Sequence, residues 1–321
     1  MESYQTQSGR RAELEASLLD LNPYLGGIGS QIMPVNDVAS KTGTYYYQDL
    51  EADAAAQTGR TVSVAPTEVV IGENSSTWSA AEVIKRYVVP RDSVKTQFGT
   101  IDRADAFASR AALRSVLRKH ETDVAALVLE QAGAVNDIEG DFIGTCQDAL
   151  DSIHRYPGEK AFVCSRTIFN RIMKYSEITT RMGLDGAGNG LSAATVLGGQ
   201  QPVLLGVLSA IIGVDRILVG DDDIWYDADA DYQDRAAIVS LPSPEMFSEM
   251  SDAVFGKTIR YLPDGQDYPF FIETHFDEDD KTNKYDASIW YSLEVMNTGA
   301  NVVLAGIDAA NTVVTSTTTT A

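Results

Sequence analysis

Apolar residues recur at helical spacing through one long run, Thr100 to Gly133 (TIDRADAFASRAALRSVLRKHETDVAALVLEQAG). Ile101, Ala104, Phe107, Ala108, Ala111, Leu113, Val116, Leu117, Val124, Leu127 and Val128 fall mostly on one side of a 3.6-residue period. No proline interrupts the run, and its only glycine is the last residue, suited to closing a helix. Thr100 is placed to cap the first turn, and Asp102 and Asp105 sit where the helix dipole favours negative charge. The pattern predicts a single helix of roughly 50 Å at about 1.5 Å per residue. The apolar positions keep no strict heptad, so the helix reads as a brace for other elements rather than a coiled coil.

Before the helix the pattern is extended. Residues 1–35 form an arm, with a short helix expected from about Ser8 to Leu19. NPYLGGIGSQIMP follows without periodicity and cannot make its own core. Its apolar Tyr24, Leu25, Ile28, Ile32 and Met33 are therefore expected to lie on another surface, a neighbouring subunit. Residues 36–75 suggest a two-stranded hairpin, one strand carrying Thr44, Tyr45, Tyr46 and Tyr47 and the other being RTVSVAPTEVVI. An isolated ribbon is marginal in water, and tyrosine is enriched at interfaces, so the hairpin too is expected on a neighbour. Ala81 to Val89 is a third extended piece, broken at Pro90.

After the helix the period alternates. Helices are expected at Phe142–Tyr156, Arg166–Met182 and Pro202–Ile212, and short apolar strands at Ala161–Cys164, Arg216–Val219 and Ala236–Ser240. From Gly256 the chain reads as strands, Lys257–Leu262, Tyr268–Phe276, Tyr285–Met296 and Val302–Ile307, ending in a low-complexity tail.

Charge sharpens this division. The net charge is −21; through His120 there are 13 Lys+Arg against 14 Asp+Glu, and from Glu121 onward 12 against 32. The later part cannot attract a polyanion. The acid is mostly aspartate, 29 Asp against 17 Glu, and lysine is scarce at nine. Such surfaces repel themselves unless salt screens them, which suggests a high-salt cytoplasm. No apolar stretch of about 18 residues occurs, so no membrane-crossing helix is expected.

Catalytic motifs are weak throughout. Cys146 and Cys164 form no CxxC pair and read as buried apolar residues. Asp227, Asp229 and Asp231 lack the glycine and the twelfth-position glutamate of a calcium loop. Asp221 to Asp223 and Asp277 to Asp280 read as solvated turns, and the GLDGAGNG loop lacks a Walker lysine. No catalytic residue, metal site or cofactor is therefore expected. Arg103, Arg110, Arg114 and Arg118 share one side of the long helix, placed either to make nonspecific contacts with DNA phosphates or to form local pairs with Asp102, Asp105 and Glu121.

The order of elements resembles the HK97-like major capsid proteins of tailed double-stranded DNA viruses, as do PVLLGVLSAIIGVDRILVGDDDIWYD and YDASIWYSLEVMNTGANVVLAGI. The resemblance implies an α+β chain. It would have an N-arm (1–35), an extended β-hairpin E-loop (36–79) and a P-domain with a spine helix (80–135). An α/β A-domain (136–240), antiparallel P-domain strands (241–309) and a mobile tail (310–321) would follow. It implies a structural, non-enzymatic protein that assembles with itself into hexamers and pentamers around double-stranded DNA. Portal and scaffolding or decoration proteins would be partners, and no membrane would be involved. The long charged helical N-terminal extension that some members use as an internal scaffold and then remove is not among these residues, so the expectation is either that scaffolding is a separate protein or that the segment is missing from this chain. The location implied is the virion, with assembly in the host cytoplasm, the composition pointing to a halophilic archaeal host. An encapsulin-like nanocompartment is the first alternative; a metal-dependent α/β hydrolase using the aspartate clusters is the second.

Overall fold

A computed structural model describes residues 9–10, 27–48, 73–130, 134–138, 140–181, 201–226, 234–241, 255–263 and 269–307. The chain divides into two compact units. The first comprises Met1–Tyr45, Ser75–Val124 and Lys257–Glu294; the second comprises Tyr46–Asn74, Ala125–Gly256 and Val295–Ala321.

In the first unit the chain begins with a two-residue strand β1 (Gly9–Arg10) that pairs antiparallel with Thr274 and Glu273. Gly9 and Arg10 are thus extended, not the start of a helix; residues 11–26 lie outside the described set. A helical turn α1 (Gly29–Ile32) leads to β2 (Val35–Val38). β3 (Thr42–Gln48) and β4 (Glu73–Ser79) form a separate two-stranded ribbon. β5 (Ala81–Pro90) comes next, then a turn at Arg91–Ser93 and a π-helical turn at Val94–Phe98.

The long helix α2 runs Ile101–Glu130, 30 residues. The Thr100 hydroxyl accepts from the Arg103 N–H at 3.4 Å, as its capping position predicts. Ala104, Ala108 and Ala112 are almost wholly buried against the sheet. Being four residues apart they stack on one face, and their small side chains let β-strands approach closely.

This face is received by β11 (Phe271–Asp277) and β12 (Thr282–Val295), which lie with β10 (Gly256–Tyr261) in a sheet ordered β1-β11-β12-β10-β2 with β5 also on β12. Ala112, Leu113 and Val116 pack on Phe270, Ile272, Ala287, Ile289 and Tyr291. Nearer the helix start, Ala104 and Ala108 pack with Val89, Val94 and Tyr285, and the Tyr285 hydroxyl donates to buried Asp105. The period-2 alternation of β12 puts Tyr285, Ala287, Ile289 and Tyr291 toward the helix.

The second unit is a five-stranded sheet of β6 (Ala134–Asp137), β7 (Lys160–Ser165), β8 (Arg216–Gly220), β9 (Ala236–Ser240) and β13 (Asn301–Ala305), ordered β6-β13-β9-β7-β8. Its helices are α3 (Phe142–Ile153), α4 (Arg166–Ile172), α5 (Ser176–Arg181), α6 (Gln201–Ile212) and α7 (Asp222–Trp225). The Ser165 hydroxyl caps α4, accepting from the Ile168 N–H at 3.1 Å.

Three expectations change. Within the run expected from Arg166 to Met182 the described residues form two helices, since α4 ends at Ile172, the Lys174 and Tyr175 N–H groups turn back to the Arg171 and Ile172 carbonyls, and α5 starts at Ser176. The final strand, expected beside the long helix with the other antiparallel strands, lies in the second unit, parallel to β6 and antiparallel to β9. Phe107, expected in the core stripe, is 48% exposed. It is held from the side by Tyr87 and Phe98, at ring-centroid distances of 5.8 and 5.3 Å.

The close alanine contact predicts that Ala112→Leu overpacks the interface and lowers stability by about 1–3 kcal/mol. Ser115→Ala on the exposed side should change it by under about 0.5 kcal/mol. Urea unfolding of the unassembled chain checks both.

Candidate functional site

Two extended segments of the first unit, the one from Gly27 to Val38 and the ribbon of β3 and β4, are tied to its sheet by specific side chains. The segment from Gly27 to Val38 is held to the first unit by a buried carboxylate. Glu121 is 6% exposed, and its Oε2 accepts from the Gly29 N–H at 2.9 Å. A Cβ on Gly27 would come within 2.3 Å of that carboxylate and one on Gly29 within 2.7 Å, so a larger residue at either position would displace the Glu121 carboxylate from this contact. Ile32 and Met33 are fully buried beyond the turn. β2 then pairs in parallel with β10, and Arg260 grips Asp37 with two bonds of 2.6 and 2.9 Å.

Thr258 closes this attachment. Its N–H donates to the Pro34 carbonyl at 2.9 Å and its hydroxyl to the Met33 carbonyl at 3.2 Å. With its hydroxyl proton committed, Thr258 accepts from His120 Nε2 at 3.0 Å, which assigns the proton of the neutral imidazole to Nε2. The His120 ring stands edge-on to Tyr291 at 5.0 Å, and the Tyr291 hydroxyl donates to Asp123 at 2.8 Å. Burial lowers the His120 pKa to about 4; Asp123 opposes this and Arg260 adds to it. Burial, followed by the bond to Asp123, pushes the Tyr291 phenol well up.

The ribbon is pinned in the same unit. Trp78 is 7% exposed and its indole lies 2.8 Å from where a Cβ on Gly43 would stand. Trp78, Ala80 and Ile259 pack with Val38, Tyr45, Tyr261 and Trp290. The Lys41 ammonium stands 3.2 Å from the Trp290 ring centroid. The Tyr45 hydroxyl donates to Glu294 at 3.2 Å.

The expected contact residues thus have different fates. Tyr45 is half-buried within its own chain. Ile28 is half-buried, and Ile32 is fully buried in the chain, so it offers nothing to a neighbour. Tyr24, Leu25 and the side chains of Tyr46 and Tyr47 lie outside the described residues. So does RTVSVAPTEVVI; the strand that pairs with β3 comes later, at Glu73–Ser79.

Arg103, Arg110, Arg114 and Arg118 are all exposed on α2. The carboxylates expected beside them are mostly engaged inward, Asp105 by Tyr285 and Glu121 by Gly29.

Groups that could support catalysis have structural duties. Burial pushes the thiols of Cys146 and Cys164 well up, which suppresses the nucleophilic thiolate. Asp221 caps α7 and Asp222 accepts from the Thr167 N–H at 2.7 Å. Asp277 accepts from the N–H groups of Asp279 and Asp280 and from Lys284, which hold its pKa down. Asp227, Asp229, Asp231 and the GLDGAGNG loop lie outside the described residues. Among the described residues no group of three or more His, Cys, Asp or Glu is placed to hold a metal. A cleft of about 640 Å³ in the second unit is lined by Arg166, Phe169, Asn170, Leu205, Val219, Gly220 and Asp221.

No protein-family model matches the chain, and no curated protein is similar to it in sequence. Solved structures do match. A phage-related protein from Bordetella bronchiseptica RB50 is 18% identical with a TM-score of 0.60, over 95% of this chain and 100% of the other. The capsid structure of the cyanophage P-SCSP1u is 10% identical with a TM-score of 0.52, over 87% and 88%. An encapsulin complex from Synechococcus elongatus PCC 7942 is 11% identical with a TM-score of 0.50, over 87% and 86%. At these identities the shared property is the fold.

The lowered His120 pKa has a sign that can be checked. Between about pH 4 and 6.5 the unfolded chain binds the proton that the folded chain refuses, so stability falls as pH drops through that window. His120→Gln removes the titration, and its unfolding free energy, followed from pH 7 to 5, should fall less steeply than that of the parent chain.

Proposed function

We propose that the chain is a major capsid protein, many copies of which close into hexamers and pentamers to form an icosahedral head around double-stranded DNA. The observation that carries this reading is the fold match to shell-building proteins, which extends over nearly the whole of both chains. The rigid first unit acts as the P-domain, with α2 as its spine. The ribbon and the residues beyond it act as the E-loop, the segment ending at Val35 as the N-arm, and the five-stranded unit as the A-domain. The function is mechanical and needs no active site. The DNA is held without sequence specificity, and portal and scaffolding or decoration proteins complete the particle. The particle assembles in the host cytoplasm and the chain ends in the virion. The aspartate-rich, lysine-poor composition supports a halophilic archaeal host.

A second reading is supported by the encapsulin match: the same fold enclosing a cargo protein. Negative-stain microscopy of the purified chain in molar salt, with assay of nuclease-protected nucleic acid, separates the two. A capsid predicts closed particles that protect DNA when made with the viral packaging machinery, and that loosen in dilute buffer where carboxylate repulsion is unscreened. Closed particles holding a protein and no nucleic acid would favour the nanocompartment. A chain that forms no closed particles at any salt would contradict both.

A further inference from the structure

We propose that Arg103, Phe107, Arg110 and Arg114 on α2 form a docking surface for a carboxylate-rich face of a second copy of this chain, in place of a seat for nucleic acid. The proposal rests on the shell-forming reading above and names the partner of one of its surfaces.

The four residues fall within an arc of about 60° around the helix axis at about 100° per residue. The three arginines are exposed, and among the described residues none of their guanidinium groups is ion-paired or hydrogen-bonded. The nearest acidic candidates on the helix do not neutralise them, since Asp105 takes the Tyr285 hydroxyl and Glu121 the Gly29 N–H. Unpaired guanidinium forks suit carboxylates, which they can meet with two parallel bonds.

Phe107 decides between carboxylate and phosphate partners. It stands inside the arginine stripe, 48% exposed, with its ring fixed by Tyr87 and Phe98. A phosphate backbone contact requires charge and gains nothing from a half-exposed benzyl ring. Protein interfaces are enriched in this pairing of aromatic anchors with arginine. The ring's orientation is set before any partner arrives, which lowers the entropy cost of docking.

Charge complementarity points to the chain itself. Residues 81–120 hold nine Lys+Arg against four Asp+Glu, while the rest of the sequence holds 16 against 42. Every copy therefore carries one basic island and a large excess of carboxylates elsewhere. A surface of this kind on an otherwise acidic protein offsets the repulsion between copies, and does so at the place where they meet.

The test uses the full chain, freed of nucleic acid by nuclease. Three variants are made: Phe107→Ala, the pair Arg110→Gln with Arg114→Gln, and the pair Arg110→Lys with Arg114→Lys. Light scattering gives the concentration needed for assembly. Fluorescence anisotropy gives binding of a short DNA duplex by the unassembled chain, and thermal melting reports the fold. Phe107→Ala and the glutamine pair should each raise the assembly concentration by about tenfold, with the lysine pair intermediate. Melting of the lysine pair, which keeps charge and stem, should match the parent, so its defect reports docking even if Phe107→Ala also lowers the melting temperature. Duplex binding should be undetectable in every case. Assembly of all three variants at the parent's concentration overturns the proposal. So does duplex binding by the parent that the glutamine pair abolishes and Phe107→Ala leaves intact, which would assign the stripe to DNA. A parent chain that never forms particles overturns the shell reading itself and the docking with it.

Discussion

The close approach of a long helix to a sheet is the contact on which the first unit depends. Ala104, Ala108 and Ala112 keep the surface of α2 shallow where it crosses the strands, so Tyr285, Ala287 and Ile289 of β12 can reach it. Larger side chains at those positions would hold the strands away and leave voids between the two layers. The cost of burying Asp105 in this contact is met by the Tyr285 hydroxyl, a bond between residues 180 apart in sequence. Because the layers interdigitate, the helix is a stiff member rather than a solvent-bridging rod, and Arg103, Arg110 and Arg114 on its other side are exposed among the described residues.

On that frame the described extended parts of the chain are fixed at their roots. Glu121 holds the Gly27–Gly29 turn, Thr258 holds the Met33 and Pro34 carbonyls, and Trp78 and Lys41 hold the base of the ribbon. Each root joins residues far apart in sequence, so the segments leave the first unit from defined points.

Much of this was legible in the sequence. The long helix was, because its period, its Thr100 cap and the lack of proline agree. Strands β7, β8 and β9 of the second unit were too, since each is an apolar run bounded by turn residues, whereas β6, with the polar pair Asn136 and Asp137, was not. β4 was hidden because Glu-Asn-Ser-Ser-Thr-Trp-Ser carries a single large apolar residue, Trp78, whose burial depends on Ile259 and Ala80. β13 was visible as a strand, but its sheet was not. Membership is decided by tertiary partners such as the Asn301 side-chain amide, which donates to the Val128 carbonyl at 2.7 Å. The roles of Glu121 and Thr258 were invisible for the same reason, since their partners lie 92 and 225 residues away. Phe107 misled because periodicity reports spacing and not which aromatic neighbours pull a ring to the surface.

The central claim is that the first unit is preformed and that the arm and ribbon complete their contacts only between copies. Amide hydrogen exchange of the unassembled chain and of the assembled particle tests it most directly. The account predicts that amides of α2 from Ala104 to Val124 are protected in both states, while those from Tyr45 through the ribbon and from residue 11 to residue 26 gain protection on assembly. Equal protection of the ribbon and arm in both states would contradict it.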